Sequence, residues 1–505
     1  MTEPSSERPV PQLFTPAGVA AVTVLASIPA KVLSERIIDP DLWWHLKTGS
    51  IMTGTHSIPH RDVFSYSVPG KAWTVQEWGA EVILHGIRKA FGLYGIFVWR
   101  AVMLLAIYAL VARLLTKRMG TGIGTWVLLG IVAYGGASNW TERPNLFSFL
   151  LFVVSLGLIE ARDPQKMWWF VPIAAVWANL HGMVIVGVGL VAVVAAAESL
   201  KTAFRWEGAD AAWARRLWAV AGLGLLATVA NPRGPGLLVH ALGLVRTVSS
   251  LVTEWASPNF HDLTGGIFMT LLVVTIASLA LNPTRPDPSD VALGLAFTVL
   301  AMQAARNLAV SAIVLGLVAA KYLPGAVASA WRGDRPRRTA QAKPSLVIGV
   351  VGLAVALGFL VAHVARAFPR SDDPRVIVDR EYPVGSLQAL RQPGTRVFTV
   401  DFWAGYLIDQ SWPNVKVYLD TRVDMYGLEQ TRRYSRTIAG LPGWAETLDE
   451  SCTTHVLIRP NRDPLAELLK RSADWRIARP PNDVAVTFVR NTPAPGCERF
   501  PIAAG

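Results

Sequence analysis

Long apolar runs recur along the first three quarters of the chain, and they constrain its fold more than any other feature. A helix that crosses a bilayer needs about 20 mostly apolar residues. Runs that reach or approach this length lie at 14–34, 92–115, 122–138, 144–161, 167–180, 183–200, 217–230, 264–281, 289–304, 307–323 and 345–367. They predict a polytopic α-helical membrane protein with about eleven transmembrane helices. The short runs 167–180 and 217–230 favour tilted or partly buried helices that end in re-entrant polar turns.

Composition supports this fold class and excludes several others. Hydrophobic residues make up 52% of the 505 residues and charged residues 17%, which is fewer charges than a soluble domain usually carries. The net charge is +12, but Lys and Arg lie mainly in short loops between apolar runs, so we expect no nucleic-acid partner. The sequence contains no HExxH, Walker, GxSxG or Rossmann motif. Nothing in it therefore indicates nucleotide-driven chemistry.

The distribution of basic residues predicts which side of the membrane each segment faces. The first apolar run has a hardly basic head and no A-x-A cleavage site, which indicates an uncleaved first helix. If the helices alternate, one side receives Lys117, Arg118, Arg162, Lys166, Lys201, Arg205, Arg215, Arg216, Arg332, Arg335, Arg337, Arg338 and Lys343. The positive-inside rule makes that side cytoplasmic. The amino terminus is then cytoplasmic. The segment 35–91 and the tail lie on the external side of the inner (plasma) membrane.

Two units follow from this pattern. The first is a multi-pass transmembrane module over 1–368 with a large first external loop at 35–91, and the second is an external, periplasmic domain over 369–505. The tail alternates helical patterns such as PLAELLKRS with the β-like runs RVFTV, VKVYL, THVLI and VAVTFV, which predicts a small soluble α/β domain. The only two cysteines, Cys452 and Cys497, fall in this domain, so we predict a disulfide in an oxidising compartment.

The external loop opens with acidic and aromatic residues directly after the first apolar run. Asp39 and Asp41 stand in DPDLWWHLKTG and are followed by Trp44 and His45. Carboxylates at a membrane surface are costly without a partner or a role, so both aspartates are candidate catalytic residues. The alternatives are that an aspartate caps the following helix and that the tryptophans form an interfacial belt.

Carboxylates and flat rings recur further along the loop. Within 17 residues it contains Asp62, Trp73, Glu77 and Trp78. Sugar sites use this mixture, because carboxylates accept hydrogen bonds from hydroxyls and aromatic rings cover the apolar face of a pyranose. Glu77 is therefore a candidate substrate-binding residue. An amphipathic helix lying on the bilayer explains the same pattern equally well.

Five short external turns also carry polar side chains, on the same face as the first loop. Their candidate substrate-binding residues are Glu142, Arg143, His181, Arg233, Glu254 and Arg306. Arginine suits a phosphate because its planar fork forms bidentate, charge-assisted hydrogen bonds. Arg306, at the break between two apolar runs, is the first choice for a lipid-phosphate clamp, and Arg143 and Arg233 follow, although each could equally snorkel to lipid headgroups. His181 could bind a metal or shuttle protons, but a lone histidine is more often a hydrogen-bonded structural residue.

Several stretches resemble the GT-C superfamily, the polytopic glycosyltransferases that take sugars from polyprenyl-phosphate carriers on the external face. They are DPDLWWHLKTG, SIPHRDVFSYSVPGKAWTVQEW, NWTERPNLFSF, WANLHG, NPRGPG, EWASPNF, DFWAGYLI and YLDTRVDMYG. These stretches span nearly the whole chain and are similar to a bacterial branch of predicted glycosyltransferase-like membrane proteins. Members of the superfamily carry an essential acidic residue in the first external loop, and Asp41, with Asp39 beside it, occupies the matching place. The pattern is D-P-D in place of the D-E pair of the mannosyltransferase branch, which leaves open which aspartate acts.

The resemblance implies sugar transfer from a polyprenyl-phosphate-linked donor to a glycan, lipid or protein acceptor, with Asp41 as general base and inversion at the sugar. The cofactor stays unknown, since only some branches employ a divalent metal. A transporter or flippase for a lipid-linked glycan would also need external arginines and a membrane cavity, but it should show internal hydropathy repeats and charges deep in helices. A third hypothesis is a non-catalytic partner of the same fold. A cavity without a carboxylate facing a phosphate-sized basic pocket would favour it.

Overall fold

The computed structural model describes most of the chain, and each structural statement below refers to that part. The described residues are 11–239, 243, 253–331, 346–369, 373–378, 380–390, 392–478 and 481–500. The predicted basic cluster from Arg332 to Lys343 lies outside them, as does residue 345 at the start of the last apolar run.

Helices dominate the first 367 residues, and each of the predicted apolar runs overlaps one of them. They are α1 (Pro16–Leu33), α2 (Asp41–Thr55), α3 (Trp78–Met119), α4 (Ile123–Tyr134), α5 (Asn145–Ala161), α6 (Phe170–Leu180), α7 (Val184–Ala203), α8 (Ala211–Ala227), α9 (Leu263–Leu281), α10 (Pro288–Gln303), α11 (Leu308–Ala330) and α12 (Leu346–Ala367). Six described helices are long and apolar enough to cross a membrane, and α4, α5 and α10 are shorter apolar helices. The chain is a multi-pass membrane protein. The number of about eleven crossings stays a prediction.

The longest helix, α3, contains a break that separates the external loop from the apolar bundle. Gly92 adopts φ 62°, a left-handed conformation that suits glycine, within a helix of 42 residues. A straight helix of that length would measure about 63 Å, roughly twice the hydrocarbon thickness of a bilayer. The predicted apolar run 92–115 begins at this break, so the part before Gly92 belongs with the external loop and the part after it with the bundle.

The tail contains a five-stranded mixed sheet flanked by helices. Its strands are β1 (Thr395–Thr399), β2 (Val415–Val417), β3 (His455–Ile458), β4 (Trp475–Ile477) and β5 (Val486–Arg490), in the order β2-β1-β3-β5-β4. Its helices are α13 (Pro374–Ile377), α14 (Asp401–Ser411), α15 (Val423–Ile438), α16 (Trp444–Glu450) and α17 (Leu465–Arg471). The four predicted β-like runs each overlap a strand and PLAELLKRS contains α17, whereas β4 was not predicted.

The first external loop and the tail share one apolar core. Trp43 of α2 packs edge-on against Tyr406 of α14, with ring centroids 4.9 Å apart. The loop also extends the sheet at β2, where Tyr66 N donates to Val417 O at 3.0 Å and Val417 N donates to Phe64 O at 3.2 Å. The tail therefore lies on the same side of the helical bundle as the segment 35–91, and residues from both can reach one site.

The predicted disulfide is confirmed. Cys452 and Cys497 are bonded, with their Cα atoms 5.4 Å apart. The bond closes a loop of 45 residues that contains β3, α17, β4 and β5. Such a crosslink stabilises a small domain mainly by limiting the freedom of its unfolded chain.

Close contact between α14 and the start of α2 depends on Gly405. A Cβ at this position would lie 2.4 Å from Pro40 O. We expect Gly405→Ala to force the two helices apart and to lower the stability of the folded protein by about 1–3 kcal/mol. Thermal unfolding in detergent measures the effect. The matched control is Gly86→Ala on the exposed side of α3, where an added Cβ meets nothing within 4 Å; equal unfolding temperatures for the two variants would contradict the prediction.

Candidate active site

A cavity of about 510 Å³ lies where the first loop, several helix ends and the tail meet. Most of the predicted site residues line it: Asp41, Trp44, His45, Glu77, Arg143, His181, Glu254 and Arg306. They come from α2, from the residue before α3, and from turns that are far apart in the sequence. The fold thus brings the external polar turns and the first loop to one place.

Three predicted site residues do not line this cavity. Glu142 is fully buried and pairs with Arg100 of α3 at 2.5 Å, so its carboxylate neutralises a buried arginine. Arg233 is exposed and borders only a much smaller neighbouring cavity. Asp39 is buried next to Arg143, behind the cavity wall.

Asp39 supports the start of α2 and the Arg143 side chain. Its Oδ1 accepts a hydrogen bond from Asp41 N at 2.9 Å, and its Oδ2 accepts one from Arg143 Nε. Burial raises the pKa of Asp39, while the Arg143 guanidinium acts in the opposite direction. Both carboxylate oxygens are thus engaged within the protein. The N-cap residue of α2 is Pro40, which forms no side-chain capping hydrogen bond, so Asp39 supports the helix start without being its cap.

Asp41 keeps one carboxylate oxygen less engaged. Its Oδ1 accepts hydrogen bonds from the Thr421 hydroxyl and, at 3.3 Å, from Trp44 Nε1. Its Oδ2 has a single contact, Arg143 Nη2 at 3.3 Å. Burial acts to raise the pKa of Asp41, but Arg143 and the two hydrogen bonds outweigh it and hold the pKa below its ordinary value. The side chain is therefore ionised at neutral pH and can accept a proton at Oδ2.

The three predicted phosphate-binding arginines have different surroundings. Arg143 is surrounded by carboxylates, since it contacts Glu254 Oε1 at 2.6 Å in addition to both aspartates of the loop. Arg306 stands in the turn Ala305–Asn307 between α10 and α11, with its guanidinium 4.5 Å from the centre of the Trp255 ring. No described carboxylate forms an ion pair with Arg306. It is therefore the arginine best placed to bind an added anion.

Glu77 connects two histidines on the cavity wall. Its Oε1 lies 3.2 Å from His181 Nε2, and its Oε2 lies 3.4 Å from His45 Nε2. His181 Nδ1 accepts from Met183 N at 3.2 Å, which leaves the ring proton on Nε2, facing Glu77. Burial raises the pKa of Glu77 to about 8, against the opposing effect of Arg306. Burial likewise lowers the pKa of His45 to about 3, so at neutral pH this group of side chains carries little net charge.

The tail completes the cavity with residues that follow β2. Thr421, Arg422 and Asp424 line it, and Arg422 lies with its guanidinium 4.3 Å from the Trp73 ring centre. The sequence signal for all three is their place in YLDTRVDMYG, one of the stretches that carry the resemblance.

No described group of three or more His, Cys, Asp or Glu side chains is arranged to hold a metal ion. Carboxylates, arginines and neutral histidines line the cavity together with uncharged Ser, Thr, Asn and Gln side chains. Trp44 and Trp73 add flat rings, with centroids 6.2 Å apart, to the same wall. This is the combination of side chains expected for binding hydroxyl-rich and anionic groups together.

Comparison with known proteins decides the fold. No family model and no curated protein matches the sequence. The oligosaccharyltransferase AglB from Archaeoglobus fulgidus, in complex with an inhibitory peptide and a dolichol-phosphate, superposes with a TM-score of 0.55 at 11% identity, over 87% of this chain and 69% of that chain. The chain has the GT-C fold.

Two further structures of an Archaeoglobus fulgidus oligosaccharyltransferase agree. The apo form gives a TM-score of 0.55 at 10% identity, over 87% of this chain and 69% of that chain. The form tethered to an acceptor peptide with the NVT sequon gives 0.51 at 11% identity, over 88% and 70%. The resemblance to the GT-C superfamily is thus confirmed at the level of the fold, and activity has to be argued from the site.

Proposed function

We propose that this GT-C protein is a membrane glycosyltransferase that transfers a sugar from a polyprenyl-phosphate-linked donor to an acceptor on the external face. One observation carries the proposal. The ionised Asp41 carboxylate and the Arg306 guanidinium, which pairs with no carboxylate among the described residues, line one cavity. A base and an anion-binding group in one cavity are what displacement of a phosphate-bound sugar requires.

The reaction would be a single displacement. Asp41 Oδ2 would take the proton from the acceptor nucleophile as that atom forms a bond to the anomeric carbon. The bond between the anomeric carbon and the phosphate oxygen would break, and Arg306 would stabilise the departing lipid phosphate by preorganised positive charge. Attack from the side opposite the leaving group inverts the anomeric configuration. Asp39, which supports Arg143 and the start of α2, would not take part directly.

The structural neighbours support the ligand class. AglB was solved in complex with an inhibitory peptide and a dolichol-phosphate, so this fold can hold a lipid phosphate and a peptide. The disulfide in the tail supports an external, periplasmic location, because such bonds persist in oxidising compartments. A glycan, lipid or protein acceptor fits a cavity that the tail partly encloses.

The alternative functions make different demands on this site. The third hypothesis, a non-catalytic partner, is favoured by a cavity without a carboxylate opposite a basic group. Here Asp41 and Arg306 line the same cavity, and this combination favours the enzyme. A lipid-linked glycan transporter needs no base in its cavity. Reconstitution distinguishes this second candidate from the enzyme.

Reconstitution tests the proposal. The protein in liposomes would be given sugars carried on polyprenyl monophosphate, and release of the free lipid phosphate and labelling of an acceptor extract would be measured. We expect polyprenyl monophosphate to bind and the uncharged polyprenol not to compete. Movement of a fluorescent lipid-linked glycan across the bilayer without sugar release would instead establish the transporter.

Donor binding is expected to weaken as the pH rises through about 8, because burial raises the pKa of Glu77 to about 8. Below that pH the Glu77 carboxyl is neutral, and above it the group becomes an anion beside Arg306 and repels the phosphate. The charged and titratable groups that act on it are His45, His181, Arg306, Asp41, Arg143 and Asp424.

Binding of polyprenyl monophosphate in nanodiscs between about pH 6.5 and about pH 9 measures the effect. Glu77→Gln keeps the shape and the hydrogen-bonding capacity of the side chain but cannot ionise. The difference between the two proteins should appear only on the alkaline side, at several-fold in Kd. Identical pH curves would contradict the assignment of Glu77 to the donor-facing wall.

A further inference from the structure

The loop between β2 and α15 places a tail side chain directly on the candidate base. Thr421 donates a hydrogen bond from its hydroxyl to Asp41 Oδ1. The two residues are 380 positions apart in the sequence. Thr421 also lines the cavity, so this contact lies at the site and not in a remote interface.

The direction of this hydrogen bond follows from its partners. An ionised carboxylate only accepts, so the Thr421 hydroxyl is the donor. Trp44 Nε1, a donor only, lies 3.2 Å from Thr421 Oγ1 and 3.3 Å from Asp41 Oδ1, and its single proton is shared between the two oxygens. The hydroxyl and the indole both meet Oδ1, so Oδ2, which contacts Arg143 Nη2 at 3.3 Å, is the oxygen left to receive a proton.

The backbone that carries Thr421 is held on both sides by a buried ion cluster. Arg422 Nη2 donates to Asp420 Oδ2 at 2.6 Å and to Asp62 Oδ1 of the first loop at 2.8 Å. Arg422 N donates to Asp420 Oδ1 at 3.0 Å. This cluster joins the tail to the first loop directly beside Thr421, and it limits movement of the hydroxyl relative to α2.

We infer that Thr421 is a positioning residue for the catalytic base, which makes the tail a required part of the active site. The inference rests on the proposed function. Thr421 acts through Asp41: it holds the carboxylate in one rotamer, directs Oδ2 to the acceptor, and favours the ionised form by donating to it. The tail then does more than enclose the cavity.

The test compares Thr421→Val with Thr421→Ser in the reconstituted protein. Valine keeps the size of threonine without the hydroxyl, whereas serine keeps the hydroxyl. We expect Thr421→Val to lower kcat by about 10- to 100-fold, the range for loss of a hydrogen bond to a charged group, with little change in the KM for the donor. Its acid limb of activity should move to higher pH, because the lost hydrogen bond had lowered the pKa of Asp41. Thr421→Ser should restore both properties.

The pH readout is specific because neither variant changes the charged and titratable groups around Asp41. These groups are Asp39, His45, Glu77, Glu81, Arg143, His181, Glu254, Arg306, Arg422 and Asp424. A residue with only a packing role would not move the acid limb. If Thr421→Val keeps the kcat and pH profile of the wild type, or if Thr421→Ser is equally impaired, the inference is wrong.

Two further variants separate this inference from the proposed function. In an Asp41→Asn background, Thr421→Val should cause no additional loss of kcat, since the group it positions is no longer a base. If Asp41→Asn itself keeps normal turnover, Asp41 is not the base, and the proposed mechanism fails at that residue and not only at Thr421. Thr421→Ala removes the hydroxyl in a smaller side chain, so a shift of the acid limb in the same direction is expected. It decides the question if Thr421→Val does not fold.

Discussion

Asp41→Asn is expected to lower turnover by about 100- to 10,000-fold, the usual contribution of a general base. Asparagine has nearly the size and shape of aspartate, and its amide oxygen can still accept from Thr421 and Trp44. Arg143 keeps its contacts with Asp39 and Glu254. Folding and donor binding should therefore stay near the wild-type level, and the loss should appear in kcat.

Two further substitutions in the first loop show whether the base is correctly assigned. Asp39→Asn should mainly lower the unfolding temperature, because Asp39 accepts hydrogen bonds from the first amide of α2 and from Arg143. Near-normal turnover of Asp41→Asn together with an inactive Asp39→Asn or Glu77→Gln would place the base elsewhere in this loop. If all three substitutions are tolerated, the loop carboxylates are not catalytic and the mechanism is wrong.

Much of this architecture could be predicted from the sequence because hydrophobic periodicity is local. The apolar runs and the β-like runs of the tail follow from patterns that a few neighbouring residues carry. The pairing of Cys452 with Cys497 follows instead from both cysteines of the sequence lying in the segment assigned to an oxidising compartment. The approximate place of the site could be predicted too, since helices that alternate across a bilayer put every second turn on the same face. The positions of Asp41, His181 and Arg306 agree with that expectation.

Partners across the fold could not be predicted, and they decide which residues are available. Arg143 and Arg306 look alike in the sequence, yet Arg143 contacts three carboxylates and Arg306 lies against the Trp255 ring. Glu142 was predicted to be a site residue because its ion pair could not be seen in the sequence. Its partner, Arg100, lies inside an apolar run, where no sequence pattern indicates an ion pair. Ion pairs form between side chains that folding brings together, and a single sequence does not show which side chains meet.

The number of membrane crossings was uncertain for a different reason. A sequence window measures apolarity, but it does not distinguish a helix that crosses a bilayer from a shorter one packed among neighbours. α4 and α10 illustrate the difficulty: both are apolar, and both are shorter than a full crossing. The break at Gly92 shows the converse, because one helix contains both a segment of the 35–91 loop and an apolar segment of the bundle.

Arg306→Ala is expected to weaken donor binding and also to lower turnover, by about 100- to 1000-fold in kcat if the guanidinium stabilises the departing phosphate. The substitution affects both donor binding and turnover. The bound donor already carries a charged phosphate, and the negative charge on that phosphate grows as the sugar leaves. Arg306→Lys should recover part of the affinity but less of the rate, since a lysine has the charge without the planar fork.

The matched control is Arg233→Ala, which changes an exposed arginine outside the cavity. This variant should bind the donor and transfer the sugar normally. Donor Kd from lipid-phosphate titration and kcat from single-turnover assays separate the two effects. Unchanged Kd and kcat in Arg306→Ala would remove the phosphate clamp from the mechanism, and equal losses in Arg233→Ala would indicate a general effect of surface charge on lipid binding.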